Sequence, residues 1–174
     1  MTPADVGRHL SSQQIPWAVI GATALASYGV ARSSFDVDLL VTDRRCLDLV
    51  FWAPLAALGT IDVRRGDHDD PLAGVVRISN EGIAVDVVVG RHSWQDAMLA
   101  RASRKQFAQW DAPVVTKVDL VLLKLYAGGS QDKWDIEALL AGDTALAKEV
   151  TACVHVLPQD GKQLWHELNR GTNP

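Results

Sequence analysis

The chain is short of several residue types at once. Its 174 residues include two cysteines, two methionines, two tyrosines and three phenylalanines. Cys46 and Cys153 are far apart, which excludes both a Cys-x-x-Cys motif and a disulfide scaffold; two reduced thiols in a cytoplasmic protein are expected. No apolar run approaches the roughly 18 residues of a spanning helix, so no membrane partner is expected. The first residues, Met-Thr-Pro-Ala-Asp-Val-Gly-Arg-His, lack the apolar segment of a secretory signal. Lysine is absent until Lys105. The first 90 residues carry 7 Lys+Arg against 11 Asp+Glu, the remainder carries 10 of each, and the total is −4. Positive charge nowhere dominates, which argues against a duplex-DNA binder.

What is present is an ordinary globular composition, 48% hydrophobic and 22% charged. The length suits one domain or a domain with a small appendage. Apolar runs over residues 15–20, 35–41, 60–64, 74–79 and 83–89 read as strands, with Asn80-Glu81-Gly82 as a hairpin turn. Helices are expected over residues 3–14, 22–29 and 43–57. After Gly90 the pattern changes. A helix over 93–102 and a short strand pair near 106–115 precede a helix capped by Thr116 with Asp119, and three more helices follow the Gly128-Gly129 break. The expected fold is α/β (α+β), a mixed sheet of about five strands with flanking helices and a small helical region after it. Residues 1–92 form the α/β core of this reading, and residues 93–174 a mainly helical region packed on it.

Chemistry concentrates at a few positions. Asp36 and Asp38 point to one face of their strand, because residues i and i+2 share a side. Two adjacent carboxylates repel unless a cation or water screens them, and hard divalent ions such as Mg2+ suit such a pair. Asp86 lies inside the apolar strand Ile83-Ala-Val-Asp-Val-Val-Val89. There it needs either an arginine cap or a metal. With that strand beside 35–41, three carboxylates converge and can hold two Mg2+ ions about 4 Å apart. Lys124, within the apolar helix Val118–Tyr126, needs an anion, either an internal carboxylate or a phosphate. Asp132 and Asp135 open the next helix on one face, where they also suit the helix dipole. Gly21 sits between a strand and a helix, a position whose backbone N–H groups can meet phosphate. His68 belongs to a solvated acidic turn. Tryptophans such as Trp52, Trp94 and Trp134 are expected in the core. Arg91, His92, Arg101, Arg104 and Lys105 form a modest basic patch on a solvated face.

The stretch Val19-Ile-Gly-Ala-Thr-Ala-Leu-Ala-Ser-Tyr-Gly-Val-Ala-Arg-Ser-Ser-Phe-Asp-Val-Asp-Leu-Leu-Val41 resembles the signature of the nucleotidyltransferase superfamily, the DNA polymerase beta-like fold. That signature is a Gly-Gly or Gly-Ser turn, a short helix and an Asp-x-Asp strand. The stretch Val118–Leu140, with its Asp-Leu-x-x-x-Lys-Leu-x-Ala-Gly-Gly and Asp-x-x-Asp-Ile patterns, resembles the helical part of small AbiEii-type toxin–antitoxin nucleotidyltransferases. The two matches together span roughly residues 15–140.

The resemblance implies that Asp36, Asp38 and Asp86 bind two Mg2+ ions, with Asp86 also the general base. It implies that Gly21, Ala22 and Thr23 contact the nucleotide, that Lys124 neutralises the triphosphate, and that Asp135 or, as the alternative, Asp132 completes the pattern. Arg32 is expected on a phosphate or on Asp86. The implied reaction moves NMP from an NTP to a hydroxyl, on a tRNA 3′ end or on a cognate toxin or antitoxin protein. Two departures stand out. Ala22 replaces the usual Gly or Ser, keeping the backbone donor but losing the hydroxyl, and Gln131 replaces an arginine. Ala22 motivates an alternative, a catalytically weak module that binds a partner. A small-molecule transferase of the aminoglycoside type is a further alternative.

Overall fold

The computed structural model describes residues 1–32, 36–108 and 110–171, and the side chains of Arg170 and Gly171 lie outside the description. Ser33, Ser34 and Phe35, expected in a loop and at a strand start, lie outside it too. The chain divides into two compact units: Met1–Ala24 with Ser33–Val115, and Leu25–Arg32 with Thr116–Pro174.

The first unit is built on seven strands: β1 Ala18–Ile20, β2 Asp36–Val41, β3 Thr60–Arg65, β4 Gly74–Asn80, β5 Ile83–Val89, β6 Ser103–Gln106 and β7 Asp111–Val114. Their order is β3-β4-β5-β2-β1-β7-β6. The sheet is therefore mixed, as expected, with seven strands rather than five. The hairpin β6–β7 supplies the two extra strands, and it pairs through Val114 with Val19 of β1 in parallel. β3, β4 and β5 form an antiparallel meander, β2 runs parallel to β5, and β1 runs antiparallel to β2.

Alternation explains the burial of these strands. Val85, Val87 and Val89 of β5 and Val76 and Ile78 of β4 are fully buried. In β2 the apolar half, Leu39–Val41, is buried at every position, whereas Asp36–Asp38 is only half-buried. The acidic end of β2 thus lies where the covering of the sheet thins.

Helix α1, Pro3–Ser12, starts on a capping box of Thr2 and Asp5 with proline in its first turn. The stretch expected as a helix over 43–57 is instead two 3-10 segments, Arg44–Leu47 and Leu49–Leu58. Asp43 and Asp48 each accept a hydrogen bond from a backbone N–H two residues on, and Pro54 interrupts any α-helical ladder. Trp52 is fully buried and donates its indole N–H to the Cys46 carbonyl at 2.7 Å.

The short helix α2, Gly21–Ser27, carries the chain from the first unit into the second. After α3, Ser93–Arg101, in the first unit, the second unit is helical. It contains α4 Lys117–Ala127, α5 Ser130–Leu140, α6 Thr144–Cys153 and α7 Gln159–Gly171. Thr116 caps α4 by accepting from the Asp119 N–H at 3.1 Å. Gly128, in the left-handed region at φ 69°, ends it. Leu120, Val121, Leu122 and Leu125 of α4 are buried, as are Ile136 and Leu139 of α5, Val150 of α6 and Trp165 of α7. Trp134 is 74% exposed, contrary to the core placement expected for it, because α5 buries the side carrying Asp135, Ile136 and Leu139. Among the described residues, no helix is long and apolar enough to cross a membrane.

Candidate active site

The register of the parallel β2–β5 pair sets Asp38 directly beside Asp86. Asp36 lies two residues back on the same face of β2. The antiparallel register of β4 then sets Arg77 directly across from Asp86. Arg77 bridges the two strands: one guanidinium nitrogen donates to Asp86 Oδ2 at 2.8 Å and the other to Asp36 Oδ2 at 2.9 Å. Side-chain exposure is 19% for Asp86, 41% for Asp36 and 47% for Arg77. The second oxygen of Asp86, Oδ1, is buried and has no hydrogen-bond partner among the described residues. Burial pushes the Asp86 carboxyl above the ordinary carboxylate value; Arg77 opposes that shift and the Asp36 charge adds to it.

Arg77 was not singled out by sequence reasoning, although a signal existed. The Asn80-Glu81-Gly82 turn fixes the β4–β5 hairpin register, and counting back from Asn80 opposite Ile83 places Arg77 opposite Asp86. The arginine cap foreseen as one answer for Asp86 is therefore real, and its donor is Arg77.

Gly21 fits against the same acids. Its φ is +61°, and a Cβ added there would lie 1.9 Å from Asp38 Oδ2. Both the conformation and the close approach favour glycine. Ala22 is 7% exposed and belongs to the core, so its methyl group packs rather than lines a surface; Thr23 is half-buried.

In the second unit, four sequence-predicted residues come together. Lys124 Nζ lies 2.7 Å from Asp132 Oδ1 and 2.7 Å from Asp135 Oδ2, and Arg32 donates to Asp135 Oδ2 at 2.5 Å. Asp132 also accepts from the Gly129 N–H at 3.1 Å. The i, i+3 spacing on α5 aims both acids at Lys124, in the last turn of α4. Side-chain exposure in this network runs from 8% for Asp135 to 27% for Arg32. Arg32 thus pairs with Asp135 and not with Asp86, the carboxylate expected for it, which Arg77 holds instead.

The remaining candidates separate. His68 is exposed beside Asp69. Arg91 donates to the carbonyls of Asp67, His68 and Leu72, and Arg104 pairs with Asp111, so two members of the basic patch serve local structure.

The donor set of the β2–β5 face suits Mg2+. It consists of carboxylate oxygens, hard ligands for a hard ion. The orphaned Asp86 Oδ1 lacks a partner that a cation would supply, and the glycine at position 21 leaves Asp38 its room. Among the described residues, no three acidic, histidine or cysteine side chains already converge as a metal cage. Arg77 supplies the positive charge between Asp36 and Asp86.

No family model matches the chain, and no curated protein matches it by sequence. Solved structures do match by fold. A candidate nucleotidyltransferase from Thermotoga maritima aligns with TM-score 0.55 at 13% identity, covering 80% of this chain and 90% of that one. The antibiotic-resistance factor ANT(2″)-Ia, solved in complex with adenylyl-2″-tobramycin, aligns with TM-score 0.53 at 12% identity, covering 95% and 94%. An antigenic nucleotidyltransferase-like protein from Paracoccidioides brasiliensis aligns with TM-score 0.50 at 15% identity, covering 92% and 89%. The chain shares the fold of these proteins.

Proposed function

We propose that this chain, on a fold shared with nucleotidyltransferases, moves a nucleoside monophosphate from an NTP to an acceptor hydroxyl with the help of Mg2+. The observation that supports this most is the register that sets Asp38 beside Asp86, with Asp36 on the same face and Gly21 fitted against Asp38. Asp36, Asp38 and Asp86 would hold the metal, two ions in the full arrangement. When bound, the metal would polarise the α-phosphate and neutralise charge developing on the leaving pyrophosphate.

The chain's own residues would do the rest. Asp86, with one oxygen tied to Arg77 and the other unpartnered among the described residues, would take the acceptor hydroxyl's proton. Gly21, Ala22 and Thr23 are the backbone proposed to meet the phosphates. Lys124 is the residue proposed to meet the triphosphate, with Asp132 and Asp135 holding its ammonium in place and Arg32 holding Asp135.

For the acceptor, the toxin–antitoxin resemblance favours a tRNA 3′ end or a hydroxyl on a partner protein. A small-molecule hydroxyl is the second reading. It is favoured by the fold match over 94% of a protein solved with an adenylylated aminoglycoside.

Each α-labelled NTP, incubated with Mg2+ and in turn with total RNA, cell extract and an aminoglycoside panel, tests the proposal. Label is expected in one acceptor class and lost in Asp36→Ala. No labelled product with any NTP in any arm, from folded protein that forms a stable complex with a partner, would replace the enzyme with a binding module.

A further inference from the structure

We infer that Arg77 is a resident counter-cation of the acidic face, holding Asp36 and Asp86 until a divalent metal displaces it, an inference that rests on reading that face as a metal site. The guanidinium binds Asp36 Oδ2 at 2.9 Å and Asp86 Oδ2 at 2.8 Å, the side chains proposed as ligands. A dication held by the same carboxylates would stand within a few ångströms of the guanidinium, and the two positive charges repel. A metal therefore loads against Arg77.

The structure also gives Arg77 somewhere to go. Its side chain is 47% exposed and lines a cavity of about 690 Å3 shared with Asp36, Leu58, Thr60, Ser79 and Glu81. Rotation into that cavity, which Glu81 also lines, keeps the guanidinium in water. It gives up two short charge-assisted hydrogen bonds but buries no charge. Arginine suits the role better than lysine, because its planar fork satisfies two carboxylates from one side chain. The proposed consequence is a face whose negative charge is partly offset, with weak metal affinity, when the metal is absent. Divalent ions would then load well only when they arrive with enough binding energy to release the arginine.

The test is a Mn2+ titration of the full chain, read by the loss of the free-ion electron paramagnetic resonance signal, in wild type, R77M, R77K and D38N. Melting temperatures in EDTA and in excess Mg2+ accompany it. R77M is expected to bind Mn2+ about three- to tenfold more tightly than wild type, from the loss of two partly exposed ion pairs. R77K is expected between them, since one ammonium cannot span both carboxylates as the fork does. R77M should also melt lower in EDTA and gain more from Mg2+. Should R77M fail to fold, R77K carries the comparison. Equal or weaker Mn2+ binding by the arginine variants, with binding abolished in D38N, overturns the displacement and leaves the metal face standing. No Mn2+ binding by wild type or R77M, or binding unchanged in D38N, overturns both together.

Discussion

Two charge clusters invite comparison. The one in the helical unit pairs two cations, Arg32 and Lys124, with two acids, Asp132 and Asp135, at 8% to 27% exposure. The one on the sheet shares one arginine between Asp36 and Asp86, keeps Asp38 on the same face, and leaves Asp86 Oδ1 without a partner. Its members Asp36 and Arg77 are 41% and 47% exposed. A balanced, buried network is built to persist, and removing one member strands the others. An acid-rich, half-exposed cluster with an orphaned oxygen fits the cation site proposed for it. Similar residue types thus serve different ends, and the distinction lies in charge matching and burial rather than in sequence spacing.

Mutations sharpen that distinction, beginning with the largest effect. Asp38→Ala is expected to lower nucleotidyl transfer by about a thousandfold or more, because the metal-held charge stabilisation is lost at once. Its stability in EDTA should be near that of wild type. A mutant that keeps activity would separate Asp38 from the reaction.

Lys124→Ala is expected to cost both transfer, through the triphosphate contact proposed for it, and stability. It leaves Asp132 and Asp135 largely buried with Arg32 as the remaining cation, and a loss of about 3 kcal/mol in urea unfolding is expected. A loss under 1 kcal/mol would move this network into the class of weak surface pairs. Gly21→Ala comes next. Adopting φ +61° with a methyl group costs about 1 kcal/mol, and the methyl also displaces the Asp38 carboxylate. Both stability and Mn2+ affinity should fall.

The smallest effect is a pH dependence. Burial raises the folded-state Asp86 pKa above the ordinary carboxylate value of the unfolded chain. The folded protein therefore binds more protons than the unfolded chain between those two values. Asp86 weighs least on stability at low pH, and its burden grows as pH rises through the folded value, becoming constant above it. In EDTA, the stability of Asp86→Asn relative to wild type should increase across that window and then level off. A difference that shrinks with rising pH would contradict the assignment.

Much of this was legible beforehand. β5 occupies Ile83–Val89 as its apolar run indicates, and Thr116 caps α4 as its spacing with Asp119 indicates. The acids of β2 announced themselves by sharing a face. Other features depend on partners distant in the chain. The parallel pairing of β2 with β5 joins segments more than forty residues apart, and strand pattern alone names no neighbour. The 3-10 form of Leu49–Leu58 turned on Pro54 and the Asp48 cap, which helical periodicity conceals. Arg77 was readable only by following the hairpin register through, because an arginine on a strand otherwise looks like surface decoration.

The central claim is that the carboxylates of β2 and β5 form a metal face for nucleotidyl transfer. It is tested most directly by label transfer from α-labelled NTPs, with and without Mg2+, in wild type and in Asp38→Asn folded to the same circular dichroism spectrum. The account predicts a labelled acceptor that requires Mg2+ and disappears in the variant. Transfer that persists in Asp38→Asn, or that never occurs with any of the NTPs, would contradict it.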